Sequence, residues 1–175
     1  LEPTFAYAYL GRGDMYMLKG ENELAVADYR KVVELDTIPR TSSCASYAFL
    51  ALGEKEKAVA FDGKCRDQFP DDPGVFYDAA CLAGRMGEYE KAISFLRQSF
   101  EKGYSSFHHI VLDDDMDPLR EMPEFITLVE EYKQKFAEEN GEEENAALEG
   151  KEEIVEIPFT KDGGVFSVKC TINEL

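Results

Sequence analysis

The residues best suited to chemistry form an acidic run in the second half of the 175-residue chain. Asp113, Asp115, Asp117 and Glu124 occupy places 1, 3, 5 and 12 of the spacing that calcium-binding loops use. Place 6 holds Pro118, where such a loop needs a glycine for its sharp turn. The run therefore favours helix caps and solvated acids over a calcium site.

Two adjacent histidines, His108 and His109, precede the acidic run. Neighbouring side chains on an α-helix point about 100° apart, so the pair is poorly placed to share one metal ion. No serine-nucleophile motif, phosphate-binding glycine loop or Cys-His-Asn set is present in the sequence. We therefore expect no enzyme, no cofactor and no metal site within these residues.

The four cysteines are spread along the chain without Cys-x-x-Cys pairing or spaced histidine partners. They are Cys44, Cys65, Cys81 and Cys170. The first three fall within helical patterns, where a cysteine behaves as a small buried hydrophobic residue. The sequence predicts buried free thiols at these three places and leaves the redox compartment open.

The composition is strongly acidic, with a net charge of −17 and a pI near 4.5. Nucleic acids and anionic membranes are bound through basic patches, so we expect neither as a partner. No apolar run reaches the roughly 18 residues that a membrane span requires. Because the sequence begins at Leu1 and not at methionine, we expect a processed or truncated product.

Helical hairpins are expected to position these residues, because three glycines recur 33 and 34 residues apart, at Gly20, Gly53 and Gly87. An alanine lies five places after each glycine, and a small residue lies seven places before each. These residues are Ala25, Ala58 and Ala92, and Gly13, Ser46 and Ala80. Small side chains allow helix backbones to approach closely, so the spacing predicts three equivalent helix crossings.

A period of about 34 residues with this pattern resembles the tetratricopeptide repeat family over about residues 4–103. The repeats are expected at about 4–37, 38–71 and 72–104, with the first helix of the second repeat running from about Thr41 to Leu52. Arg12 and Asp62 depart from the pattern, since both occupy places that are usually apolar. The resemblance implies a mainly α fold, a solenoid of stacked helical hairpins.

The residues after Gly103 lose the repeat spacing but keep an amphipathic pattern. A short helix within 105–112 and a longer one from Pro123 are predicted, forming a degenerate hairpin over 105–137 that caps the solenoid. Residues 138–150 are acidic and are expected to form a linker or a helix end.

The C-terminal segment 151–175 changes to β-branched, partly alternating residues. Strands at 154–157 and 165–172 around a turn at 161–164 predict a β-hairpin appendage. The segment resembles the opening strands of bacterial retropepsin-like aspartic protease domains, which implies the start of a following domain. A self-contained β-appendage is the alternative. Asp162-Gly163-Gly164 lacks the Ser or Thr of the catalytic triplet, so no catalytic residue is carried over.

The family geometry implies that certain first-helix residues line a concave inner face. They are Tyr7, Leu10, Asp14, Met17, Arg40, Ser43, Tyr47, Leu50, Tyr77, Cys81 and Arg85. Rigid aromatic rings with a few polar groups suit peptide capture, and Arg40 and Arg85 suit pairing with a carboxylate of the peptide. Alternatively, the tyrosines pack between helices. The Asn and Lys set of carboxylate-clamp repeats is missing, so a chaperone tail is not expected.

These patterns favour a protein- or peptide-binding module that uses its concave face. One alternative is the recognition arm of a longer retropepsin-like protease with catalytic residues beyond Leu175. Another is a structural assembly module, in which the β-tail pairs edge to edge in a homo-oligomer. The protease resemblance implies a bacterial cell envelope or secreted location, with any signal removed.

Overall fold

The computed structural model describes residues 5–41, 43–140, 159–162 and 165–168. Within the first two ranges, six helices pair into three hairpins. They are α1 Ala6–Leu18, α2 Asn22–Leu35, α3 Ala45–Ala51, α4 Lys55–Gln68, α5 Pro73–Arg85 and α6 Tyr89–Glu101. α7 Phe107–Leu112, a 3₁₀ helix Asp114–Leu119 and α8 Pro123–Asn140 follow. No helix in the described part of the chain has the length and apolar character to cross a membrane.

Each hairpin turns at one of the three register glycines. Gly20, Gly53 and Gly87 have φ angles of 76°, 78° and 73°, a left-handed conformation that glycine adopts without steric cost. The amide of the following glutamate donates to a carbonyl in the last turn of the first helix. The bonds are Glu21 to Tyr16 at 2.9 Å, Glu54 to Phe49 at 2.8 Å and Glu88 to Ala83 at 2.9 Å. The predicted register is confirmed, since one turn geometry recurs three times.

The small residues of the register lie buried at the helix crossings. Ala25, Ala58 and Ala92 have no exposed surface at all. At Gly13, an added Cβ would lie 2.7 Å from Cε1 of the buried Tyr29 ring, so even an alanine would overlap it. The helices of the first hairpin therefore approach each other as closely as the spacing predicts.

The second hairpin differs from the sequence expectation at its start. α3 begins at Ala45 and not near Thr41, because a cap reaches it from the preceding hairpin. Asp36, whose residue surface is 2% exposed, accepts hydrogen bonds from the amides of Cys44 at 2.6 Å and Ala45 at 3.0 Å. This carboxylate satisfies two of the orphan donors at the helix start, so residues 37–41 remain irregular.

The unusual Arg12 of the first repeat is paired with an acid of α2. Its Nε and Nη2 atoms each donate to the buried carboxylate of Asp28 at 2.6 Å. In the register of the second repeat, the same two places hold Ala45 and Phe61, which pack in one apolar cluster. The first hairpin therefore carries an ion pair where the second carries an apolar contact.

The unusual Asp62 of the second repeat occupies the register place of Tyr29 and is covered by Arg66 one turn later. Nε of Arg66 donates to the Asp62 carboxylate at 3.0 Å. The guanidinium also lies 4.5 Å from the centroid of the Phe95 ring. Burial raises the pKa of Asp62, and Arg66 opposes that rise. The local pair and ring contact explain how an acid is accommodated here.

α7, the 3₁₀ helix and α8 follow the third hairpin, and we call them the cap. Phe107 and Tyr132 of these helices pack against the Phe100 ring of α6. The buried apolar side chains of the cap include Ile110, Met116, Leu119 and Leu128, each at most 1% exposed. Asp113 accepts the amide of Asp115 at 3.0 Å and thereby caps the 3₁₀ helix. The cap interpretation of Asp113 is confirmed, and the 3₁₀ helix is an element that the sequence did not predict.

Two short strands lie in a second compact unit, which begins after Phe136. β1 Phe159–Asp162 and β2 Val165–Val168 pair antiparallel, with Phe159 opposite Val168 and Asp162 opposite Val165. Lys161 and Asp162, expected in the turn, therefore lie within β1. The expected strand at 154–157 and the residues after 168 lie outside the described residues.

Candidate binding face

Side chains of the three first helices lie near one another, since Asp78 of α5 neighbours Tyr7 of α1 and is bonded by Tyr47 of α3. We call this region the first-helix face and define it by Tyr7, Asp14, Met17, Tyr47, Asp78 and Arg85. The Tyr47 hydroxyl donates to the Asp78 carbonyl at 3.2 Å, and the Arg85 guanidinium lies 4.8 Å from the Tyr47 ring centroid. These contacts fix the α3 and α5 portions of the face relative to each other.

The α1 portion of the face is the most open to solvent. Tyr7 is 44% exposed and Met17 is 47% exposed. Partial burial raises the pKa of Tyr7 to about 12, and the Asp78 carboxylate adds to that rise. Asp14, in contrast, accepts a 2.7 Å hydrogen bond from Tyr29. Tyr7 and Met17 are thus the predicted residues of α1 that present apolar surface.

The two predicted arginines already have partners within the chain. Arg40 donates to Asp36 at 3.2 Å, and Nε of Arg85 donates to Asp115 at 2.7 Å. The sequence predicts that each guanidinium pairs with a carboxylate of a bound peptide. Both arginines already pair with acids of this chain, and their pairing with a peptide stays a prediction.

Tyr77 lies buried where α5 contacts Tyr104 and Asp113. Its hydroxyl donates to Oδ2 of Asp113 at 2.8 Å, and its ring stacks on Tyr104 with centroids 4.5 Å apart. Burial raises the pKa of Tyr77 well above that of a free tyrosine. Tyr47 is also buried, so both tyrosines pack between elements, as the alternative interpretation of the sequence proposed.

The remaining predicted residues are mostly enclosed. Leu50 is half-buried, and Leu10 and Ser43 are buried. Ser43 bonds to Asp36 through its hydroxyl at 3.3 Å, so it supports the cap of α3. The structure therefore leaves Tyr7, Met17 and the two arginines exposed. It buries Leu10, Ser43, Tyr47, Tyr77 and Cys81.

Asp78 is the residue that the sequence did not single out. It is half-buried, and within the described residues its carboxylate has no hydrogen-bond donor and no ion-pair partner. Burial raises the pKa of Asp78 to about 7, with further contributions from neighbouring carboxylates, first among them Asp62. The repeat register could have identified Asp78. It is an acid at the place where the other two repeats have the uncharged Gly11 and Cys44.

Cys81 and two acids of the cap form a compact donor cluster. The Cys81 sulfur and one oxygen each of Asp113 and Asp115 lie within 4.8 Å of one another. Burial and Asp113 raise the pKa of the Cys81 thiol far above the usual range, so the thiol keeps its proton. Cys81 donates to Asp113 at 3.7 Å, and this bond links α5 to the cap.

The three described cysteines, Cys44, Cys65 and Cys81, are buried and free, as the sequence predicted. Burial raises the pKa of Cys44 to about 12, and burial also raises the pKa of Cys65. Neutral, enclosed thiols of this kind are poor nucleophiles. They contribute to packing and provide no reactive centre.

Hairpins stacked with a common turn geometry define a helical repeat array. Residues 6–38 and 73–101 match the family model described as Tetratricopeptide repeat. The second hairpin, between these matches, keeps the same register. Tetratricopeptide repeats indicate a protein-interaction module and are generally non-enzymatic.

A curated relative covers part of the same region. Over 72 residues the chain is 27% identical to a chloroplastic protein of Arabidopsis thaliana. The alignment covers 41% of this chain and 22% of that protein. The chain therefore spans about a fifth of the length of this relative, and the similarity concerns a portion of it.

Proposed function

We propose that the first-helix face binds an extended peptide segment of a partner protein. The observation that carries this proposal is the contrast between fixed and open side chains on one face. Tyr47 and Arg85 are held by contacts within the chain, whereas Tyr7 and Met17 remain about half exposed. A face that is already ordered loses little conformational entropy on binding, and an exposed tyrosine provides an anchor.

The proposal is tested with peptides selected from a random decamer library displayed on phage, using the full chain as bait. We expect Tyr7→Ala to weaken the selected peptides by about tenfold, as loss of an aromatic anchor does. Tyr89→Ala is the matched control, because Tyr89 is 36% exposed but lies at the start of α6, a second helix. Fluorescence polarisation measures both affinities.

The control variant should bind within about twofold of the wild type, since Tyr89 lies off the first-helix face. The proposal fails if the library yields no binding peptide. It also fails if Tyr7→Ala and Tyr89→Ala bind the selected peptides equally well. Both tyrosines are surface residues, so neither substitution is expected to unfold the chain.

Two other functions remain predictions from the sequence. The protease-arm hypothesis depends on the segment 151–175, of which residues 151–158, 163–164 and 169–175 lie outside the described residues. The repeat matches end at residue 101 and do not reach it. The assembly hypothesis depends on the edges of β1 and β2. Light scattering of chains with and without residues 151–175 tests assembly.

A further inference from the structure

The charges on the first-helix face and at its cap end are unbalanced. Carboxylates come from Asp14, Asp78, Asp113 and Asp115, and Arg85 is already paired with Asp115. Asp14 and Asp113 each accept a hydrogen bond from a tyrosine, which leaves their negative charge in place. These carboxylates would repel an acidic peptide and attract a basic one.

Asp78 offers a specific place for a cation within that surface. Its carboxylate is half-buried and has no partner among the described side chains. Its electrostatic neighbour on α1 is the exposed Tyr7, and Tyr47 of α3 donates to its backbone. An aromatic ring beside an unpaired carboxylate is the combination that binds ammonium and guanidinium groups, by cation–π attraction and a charge-assisted hydrogen bond.

The described side chains do not supply that cation. Arg40 lines the same small cavity as Asp78, of about 10 Å³ or roughly the space of one water. Its guanidinium, however, pairs with Asp36 at 3.2 Å and forms no ion pair with Asp78. Within the described residues the Asp78 carboxylate therefore has no ion-pair partner, although Arg40 lies nearby.

We propose that the peptide bound by the first-helix face is basic and places a lysine or arginine side chain against Asp78. The inference rests on the proposed function, since it names the chemistry of the segment that the same face binds. Tyr7 covers the aliphatic part of the incoming side chain, and the Asp78 carboxylate receives its charged end.

The protonation of Asp78 supports this assignment. Its titratable and charged neighbours come from every element around it. They are Tyr7 from α1, Arg40 before α3, Tyr47 from α3, Asp62 and Cys65 from α4, Asp72 at the start of α5, and Asp113 and Asp115 from the cap, with His109 lying 3.6 Å from Asp113. Burial and the acids raise the pKa of Asp78 to about 7, and a bound cation would lower it. Preference for basic peptides should therefore fall as the pH drops from 8 to 6.

The test uses three decamer libraries with randomised flanks and a central residue fixed as lysine, norleucine or glutamate. At pH 8 we expect the lysine library to bind about tenfold more strongly than the norleucine library, and the glutamate library to bind least. Asp78→Asn should reduce the lysine preference to about twofold. Asp67→Asn, which changes an exposed acid on α4, should leave the preference unchanged.

The outcomes separate this inference from the proposed function. If the libraries bind through Tyr7 but show no lysine preference, or if Asp78→Asn leaves that preference intact, the inference is overturned and peptide binding stands. If no library binds, or if Tyr7→Ala has no effect on binding, the proposed function fails and this inference fails with it.

Discussion

Asp36→Ala is expected to lower the free energy of unfolding by about 3 kcal/mol, more than any other cap substitution in the described helices. The carboxylate is 2% exposed and accepts two backbone amides, those of Cys44 and Ala45. It also receives the Ser43 hydroxyl at 3.3 Å. Its removal leaves buried donors without an acceptor, and each such donor costs about 1–3 kcal/mol. Urea unfolding measures the loss.

Asp72→Ala is the matched control for that prediction. Asp72 caps α5 through a similar pair of bonds, to the amides of Gly74 at 2.8 Å and Val75 at 3.2 Å. Because Asp72 is only half-buried, water can replace its carboxylate, and the expected loss is about 1 kcal/mol. Equal losses for Asp36→Ala and Asp72→Ala would contradict the proposed role of Asp36 as a buried cap.

Asp78→Asn is expected to stabilise the chain at alkaline pH. The pKa of Asp78 is about 7 in the folded chain and 3.8 for a free aspartate. Between these values the folded state binds more protons than the unfolded state, so wild-type stability falls as the pH rises. The loss is nearly complete about one pH unit above the pKa of the folded chain. Asparagine carries no charge, so its advantage should grow by about 2 kcal/mol between pH 5 and pH 8.

The measurement is urea unfolding of both proteins across that pH range, with Asp67→Asn as the control. The exposed Asp67 should give a small difference that does not vary with pH. A constant advantage of Asp78→Asn at every pH would show that the substitution acts through packing. That result would contradict a half-buried, unpaired carboxylate at this position.

The repeat architecture could be predicted because its determinants are local and periodic. Gly20, Gly53 and Gly87 each require only a left-handed turn, and their spacing is visible in the sequence. Ala25 and its equivalents are small for the same reason in every repeat. A sequence pattern predicts the structure well where each repeat needs the same small or left-handed residue at the same place.

The features that escaped prediction depend on neighbouring hairpins. The start of α3 is set by Asp36, which lies outside that helix and eight residues before Cys44. A search for capping boxes considers residues within one turn and cannot detect such a bond. The pairing of Arg85 with Asp115 was not predicted, because Asp115 belongs to the cap and lies thirty residues further along the chain.

The candidate site also has features that the sequence predicted and features that it did not. The register identified Tyr7 and Tyr47 as first-helix residues, but it did not tell which one would be buried. That difference arises because α3 contacts α2 of the first hairpin while its Tyr47 hydroxyl donates to Asp78 of α5, whereas Tyr7 remains 44% exposed. Asp78 was not predicted, because the lack of a partner for its carboxylate depends on which side chains surround it in the folded chain.

The location of bound peptide tests the account most directly. A ¹⁵N-labelled full chain is titrated with one selected basic decamer, and amide chemical-shift changes are mapped by NMR. We expect the largest changes in α1, α3 and α5, centred on Tyr7 and Asp78, with α2, α4 and α6 little affected. Changes concentrated on those second helices, around Val59 or Tyr89, would contradict the assignment of binding to the first-helix face.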